Sequence, residues 1–292
     1  MTERERRLAE FVDRHGEMRR FSAMLDGNDK RIMLVWGDSG LGKSSLLARM
    51  IHEASLRRLR KSELVWTNTR RHDYLAIMRK LRDDAGAAYF NAFTDLLNYF
   101  TVPRYSLQLA VEGDIAVASG ARFSHSQVGD MAGVVIKDSM FVLPRADVAT
   151  SESERMIMLT NHFLDGLASA TMPGEPFLVF FDAVEKMSPE THDWLWGELI
   201  QAVRDERLPH VRFVLCGHHR PVLARDVEFL VEDVQLKPLG LPDIIEYLGR
   251  RGVEEASRKG IAQVLIVATG GNPLQVASLV DAALKLQAGE GT

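Results

Sequence analysis

The chain has 292 residues, 46% of them apolar and 26% charged, and a formal net charge of −4. This is the mix of a soluble globular protein with a sizeable core, at a length for one large domain or a domain plus a smaller appendage. The net charge gives no sign of a polyanion-binding protein, and the basic stretch Arg57, Arg58, Arg60, Lys61 reads as a solvated helix end, with nucleic-acid contact as the alternative. One cysteine, Cys216, leaves no intrachain disulfide and nothing that points to an oxidising compartment. The start, Met1-Thr-Glu-Arg-Glu-Arg-Arg7, lacks the apolar stretch of a signal peptide. No apolar run approaches the ~20 residues that span a bilayer. A cytoplasmic location is expected.

In chain order, Arg31-Ile-Met-Leu-Val-Trp36 reads as a strand that ends in a glycine-rich turn, followed by a helical pattern from Ser44 to Leu59. Further short runs are Glu63-Leu-Val-Trp-Thr67, Phe177-Leu-Val-Phe-Phe181, Val211-Arg-Phe-Val-Leu215 and a weaker Val234-Gln-Leu236. Their length, β-branched and aromatic content and the helical stretches between them predict buried parallel strands. Strands alternating with helices imply an α/β fold, a parallel sheet covered on both faces. Residues 101–150 break this rhythm. Alternating apolar residues from Tyr105 to Val111, and Gly113-Asp-Ile-Ala116 recurring as Gly129-Asp-Met-Ala132, fit a β-rich insertion with G-D turns; a surface loop is the alternative. After Pro238 the pattern turns helical: Leu241–Arg250, Glu254–Val267 and Pro273–Leu286, separated by glycine breaks. The expected division is therefore 1–238 for the α/β domain, with its insertion, and 239–292 for a small helical domain.

Gly37-Asp-Ser-Gly-Leu-Gly-Lys-Ser44 has the G-x-x-x-x-G-K-[ST] spacing, directly after a strand and directly before a helix. Glycines let a backbone curl until several N–H groups converge on phosphate oxygens, and the following helix adds the positive end of its dipole. Gly37, Asp38, Ser39, Gly40, Leu41, Gly42, Lys43, Ser44 and Ser45 are thus the expected phosphate-binding residues, for ATP or GTP. Lys43 supplies a mobile cation to the terminal phosphates, and the Ser44 hydroxyl is a ligand for Mg²⁺. A carboxylate at a neighbouring strand end is needed for the metal's shell, and Asp182 provides it after five apolar residues. Three residues on, Glu185 is either the group that activates the attacking water or an ordinary first-turn acid beside Lys186. At the end of the fourth run, Leu215-Cys-Gly-His-His-Arg-Pro221 offers Arg220 or His218 as a sensor of the terminal phosphate. The adjacent His218 and His219 would point to opposite sides of an extended chain, which disfavours a shared metal.

These motifs together resemble those of the bacterial STAND-type and AAA-like P-loop ATPases, relatives of the NACHT and NB-ARC nucleotide-binding modules. Phe11-Val-Asp-Arg-His-Gly-Glu-Met18 resembles the family's F-V-G-R-x-x-E-L entry motif, with Asp13 in place of the usual glycine. The resemblance implies that Phe11, Val12 and Arg14 border the adenine. Asp182 and Glu185 are similar to its D-x-x-[DE] motif, and Leu236-Lys-Pro-Leu-Gly-Leu-Pro-Asp243 to the segment leading into a helical lid. Gly271-Asn-Pro273 looks like its G-x-P motif, which implies that Pro273 packs near the nucleotide. The implied fold is a P-loop NTPase with a three-layer parallel sheet and a helical lid, and the implied cofactors are ATP (ADP) and Mg²⁺. The implied activity is ATP hydrolysis serving as a regulatory switch in signalling or defence. No period of sensor repeats is visible: either the chain is the nucleotide-binding core of a longer protein, or it works with separate effector and sensor chains, and further copies of the chain are expected partners. Two other functions compete: a loader ATPase acting on nucleic acid, which the net charge disfavours, and a scaffold that binds ATP without turnover.

Overall fold

The protein's computed structural model describes residues 11–12, 14–65, 73–101, 108–111, 114–117 and 151–289. The described residues fall into two compact units, one formed by those up to Phe90 and from Phe163 onward, the other by Asn91–His162.

The first unit is built on five strands: β1 (Ile32–Trp36), β2 (Lys61–Val65), β5 (Phe177–Asp182), β6 (Val211–Gly217) and β7 (Val231–Gln235). They lie in the order β2-β5-β6-β1-β7, and every pairing is parallel. Strands covered on both faces read as unbroken apolar runs. The three central strands do so, with β6 buried along its whole length. The edge strands β2 and β7 instead alternate buried with half-exposed or exposed residues. This explains why Val234-Gln-Leu236 gave only a weak signal: β7 begins earlier, at Val231, and carries the polar residues Glu232 and Asp233, neither of them buried, between Val231 and Val234. Strand β2 likewise starts at Lys61, before the expected run, and Trp66 and Thr67 lie outside the described residues.

One sheet face carries α1 (His15–Leu25) and α2 (Lys43–Leu56). Phe21 and Met24 of α1, and Leu46, Leu47, Met50 and Ile51 of α2, form one buried cluster with Met33, Val35, Leu178, Phe180, Val214 and Cys216. Those strand residues are two apart, as a pleat requires. The intervening set, including Phe181 stacked on Phe213 at 6.3 Å, belongs to the opposite face. Further buried helical residues of this unit include Ile77 and Leu81 of α3 (Tyr74–Ala85), with Phe163 from the second half of α5 (Glu152–Ser169) and Trp194 from α6 (Pro189–Trp194), whose rings are 6.3 Å apart. A short π-helical stretch, Leu195–Leu199, joins α6 to α7 (Ile200–Arg204).

Three more helices follow: α9 (Leu241–Arg250), α10 (Glu255–Thr269) and α11 (Pro273–Gly289), after the single-turn α8 (Arg225–Glu228). They build their own apolar cluster around Ile244, Leu248, Ala262 and Val276, which also takes in Val12 from the entry segment. These helices belong to the same compact unit as the sheet. They are tied to the sheet's exit at Leu239, whose N–H donates to Gly271 O at 2.8 Å.

The second unit contains α4 (Asn91–Thr101), the first part of α5 and an antiparallel pair, β3 (Gln108–Val111) and β4 (Asp114–Val117). This pair lies either side of Gly113 in the expected β-rich insertion, and 112–113 lie outside the described residues. The second turn, Gly129-Asp130, lies outside the described residues, as do 118–150 as a whole. Among the described residues, no helix is long and apolar enough to cross a membrane.

Gly271 has φ +76, and a Cβ there would sit 2.3 Å from Leu239 O. Gly271→Ala is therefore expected to cost about 1–3 kcal/mol of stability, as a side chain forced into a disfavoured backbone region does. Chemical denaturation compared with the parent measures this.

Candidate functional site

All five strands of the parallel sheet end on the same side, and that edge is where α/β sheets bind ligands. Strand β1 delivers the glycine loop there. Helix α2 then begins at Lys43 with Gly42 at its N-cap, in the left-handed conformation and with no capping side chain. The first-turn N–H groups of Lys43, Ser44 and Ser45 therefore depend on something outside the helix to accept from them. Strand β6 lies between β1 and β5. Asp182, at the end of β5, is thus two strand spacings, roughly 10 Å, from the line of β1. Just after it, Ala183 takes a left-handed conformation with φ 59, which starts the 3₁₀ turn Val184–Lys186.

A cavity of about 490 Å³ occupies this edge, within the range of small-molecule sites. Its floor is Ser39 through Ser45, and Asp182, Glu185 and His218 stand along one wall. The entry segment adds Phe11, Val12 and Arg14, and the C-terminal helices add Leu239, Tyr247, Pro273, Val276 and Ala277. The lining is amphipathic: it combines glycine-loop backbone, the cationic side chains of Arg14, Lys43 and Lys186 and two carboxylates with apolar side chains.

Lys43 Nζ donates to Gly37 O at 2.7 Å and to Asp38 O at 2.9 Å. Burial lowers the pKa of this ammonium, while Glu185, Cys216, Asp182 and Asp38 act in the opposite direction. Behind it, burial pushes the Cys216 thiol well above its usual range, and Asp182 adds to the effect. Glu185 Oε1 lies 3.5 Å from His218 Nε2.

Most of the residues expected from sequence come together here. Ser39–Ser45, Asp182, Glu185, Phe11, Val12, Arg14 and Pro273 all line the cavity. Gly37 and Asp38 stand behind the lining as the two carbonyl acceptors for Lys43. Arg14 is buried at the N-cap of α1, and its guanidinium serves backbone: it donates to Lys237 O at 2.7 Å and Leu41 O at 3.3 Å. Asp13 lies outside the described residues. Arg220 is not brought to the cavity. It pairs with Asp233 and, at 2.9 Å, with Glu228 on the edge-strand side, where Asp233 also accepts from the Trp36 indole at 2.6 Å. Of the two sensors weighed in the sequence, His218 is the one that lines the cavity.

Sequence reasoning missed Leu239, Tyr247, Val276 and Ala277. Tyr247 recurs with Ile244 and Leu248 at helical spacing, a pattern no different from ordinary core. Asn272 was also passed over, although it lies inside the G-x-P segment. Its Nδ2 donates to Ser39 O at 3.1 Å, while its Oδ1 accepts from the N–H groups of Leu274 and Gln275.

A five-stranded parallel sheet with a glycine loop after β1 and a carboxylate closing β5 defines a P-loop NTPase. The AAA ATPase domain model matches residues 10–214, and the chain belongs to that family. No curated protein matches the sequence. Among solved structures, the Walker-type ATPase of Pyrococcus abyssi is 15% identical with a TM-score of 0.44, the match covering 96% of this chain and 74% of that one. A STAND protein with a tetratricopeptide repeat sensor from Pyrococcus horikoshii is 16% identical with a TM-score of 0.45. That match covers 91% of this chain but only 29% of the STAND protein. AMPPCP-bound DnaA from Aquifex aeolicus is 15% identical with a TM-score of 0.49, covering 97% of this chain and 66% of that one.

Because Glu185 is the foremost of the groups that favour the charged form of Lys43, Glu185→Gln should lower the lysine's pKa further. Side-chain NMR of ¹³C-labelled lysine would register the shift. An unchanged titration would mean the two groups do not sense each other.

Proposed function

We propose that the chain binds ATP together with Mg²⁺, hydrolyses it, and uses its nucleotide state as a regulatory switch. The observation that carries this reading is a single cavity lined by the phosphate loop, by Asp182 and Glu185, and by the C-terminal helices. The triphosphate would lie on the loop, with Lys43 exchanging its bonds to Gly37 O and Asp38 O for phosphate oxygens. The apolar wall of Phe11, Val12, Tyr247 and Val276 suits a flat base.

The donor set fits Mg²⁺. The Ser44 hydroxyl and the Asp182 carboxylate are hard oxygen ligands in one cavity, and Mg²⁺ favours one or two such groups alongside substrate phosphates and water. Once bound, the ion would neutralise charge on the phosphate oxygens. The chain's own residues do the rest. Glu185 accepts a proton from the attacking water as its oxygen bonds to the γ-phosphorus and the bridge to the β-phosphate breaks. His218, 3.5 Å from Glu185, holds that carboxylate toward the cavity. Lys43 stabilises the charge that develops on the departing diphosphate.

The regulatory part rests on the C-terminal helices acting as a lid. They line the nucleotide's cavity and touch the loop beneath it, so any movement of theirs is felt at the phosphates. States separated by a few kcal/mol suffice for such a switch. The output is self-association or binding of separate effector chains, in a signalling or defence setting.

Calorimetry and phosphate release on three variants test this. Lys43→Ala should abolish or greatly weaken ATP binding in a folded protein. Asp182→Asn should lower both Mg²⁺-dependent affinity and turnover. Glu185→Gln should cut single-turnover hydrolysis by about 10²–10⁴-fold and leave affinity nearly unchanged. Unaltered ATP affinity in folded Lys43→Ala would refute the site, and parental hydrolysis in Glu185→Gln would refute its catalytic role. The mass of the parental chain should change when a non-hydrolysable ATP analogue is added. A constant mass would remove self-association as the output.

A further inference from the structure

Three consecutive carbonyls of the phosphate loop are held from outside it. Ser39 O accepts from Asn272 Nδ2 at 3.1 Å, Gly40 O from the Leu274 N–H at 3.2 Å, and Leu41 O from the Arg14 guanidinium at 3.3 Å. Two of these donors belong to the N-terminal turn of α11 and its cap. A planar trans peptide points its N–H away from its C=O. Anchoring these oxygens therefore sets the amide hydrogens of Gly40, Leu41 and Gly42 toward the other side of the loop. The Leu41 amide is taken up within the loop by Asp38 O at 3.4 Å. Gly40 and Gly42 both line the cavity.

Asn272 is not itself in that lining, yet its orientation is fixed. Oδ1 accepts from the Leu274 and Gln275 N–H groups at 3.1 and 3.3 Å, so a flipped amide would set NH₂ against two donors. The approach is also close: a Cβ on Gly40 would come within 2.6 Å of Oδ1. Resting on the ATP-binding reading above, we propose that Asn272 is a positioning residue for phosphate binding. Through it, helix α11 sets the direction of the loop's N–H groups, so the seating of the C-terminal helices and the affinity for phosphate are coupled. Linkage makes that coupling reciprocal: phosphate on the loop must tighten the seating of α11.

Asn272→Ser separates this role from a structural one. Serine is as good a helix cap as asparagine, so α11 should stay capped, but its shorter side chain cannot also reach Ser39 O. The probe is inorganic tripolyphosphate with Mg²⁺, which presents the phosphate part of the ligand and no base to the apolar wall. The variant should melt close to the parental temperature. It should bind tripolyphosphate about tenfold more weakly, the scale of one ordering hydrogen bond, and lose a similar factor for ATP. Equal tripolyphosphate affinity in parent and variant would overturn the proposal, even if ATP affinity fell, because Asn272 would then serve only the lid's apolar wall. If the parental chain bound neither tripolyphosphate nor ATP, the ATP-binding reading would fall with it.

Discussion

Parallel strands all finish at one edge of their sheet, and the rest of this molecule is arranged around that constraint. Strand β1 must leave through a turn, and its turn is a glycine loop that passes directly into the uncapped end of α2. Strand β5 finishes two places away with Asp182, and β6, the strand between them, finishes beside His218. The spacing of strands thus sets the distance between the glycine loop and the carboxylates, before any side chain chooses a rotamer. Strand β7, on the other flank of β1, leads the chain toward the C-terminal helices, so these start at the same edge.

What closes the site is modest in strength. The contacts between α11 and the loop are ordinary hydrogen bonds of 3.1 and 3.2 Å, each worth on the order of 1 kcal/mol. The apolar cluster of the three helices also takes in Val12 from the entry segment. Arg250 of α9 donates to Phe11 O in that segment, and Arg14 joins Leu41 to Lys237. The segment before α1 is therefore a strap between loop and helices. A few bonds of this size are strong enough to define one arrangement and weak enough for a ligand to shift it.

The parts legible in the sequence are those whose physics is local. Central strands β1, β5 and β6 are covered on both faces and had to be unbroken apolar runs. The glycine loop had to keep its spacing, and Asp182 had to follow an apolar run to sit at a strand end. Strands β2 and β7 were placed a few residues late because an edge strand mixes buried with solvated residues, and its polar half hides its start. Arg220 and His218 lie two residues apart, and no local pattern tells which one reaches the site. Asp233 and Glu228 decide it by holding Arg220 elsewhere. Asn272 and Tyr247 were illegible for a related reason. Their roles come from contacts with parts of the chain far away in sequence, and locally they look like a helix cap and a core aromatic.

The close approach of Asn272 to Gly40 has a consequence for how the motif itself should be understood. Position 40 is one of the four nominally free places in G-x-x-x-x-G-K-[ST]. Here it is not free, since its φ is +82 and the space a side chain would fill holds the Asn272 amide. The motif's spacing asks nothing of this residue; its left-handed backbone and the fitted partner both do. Residues 40 and 272 therefore form one mutational unit. A library that varied the loop alone would report an intolerant site and credit the intolerance to the nucleotide. One that varied both positions would separate the share due to the helix packed above it from the share due to the left-handed backbone, which no change at 272 relieves.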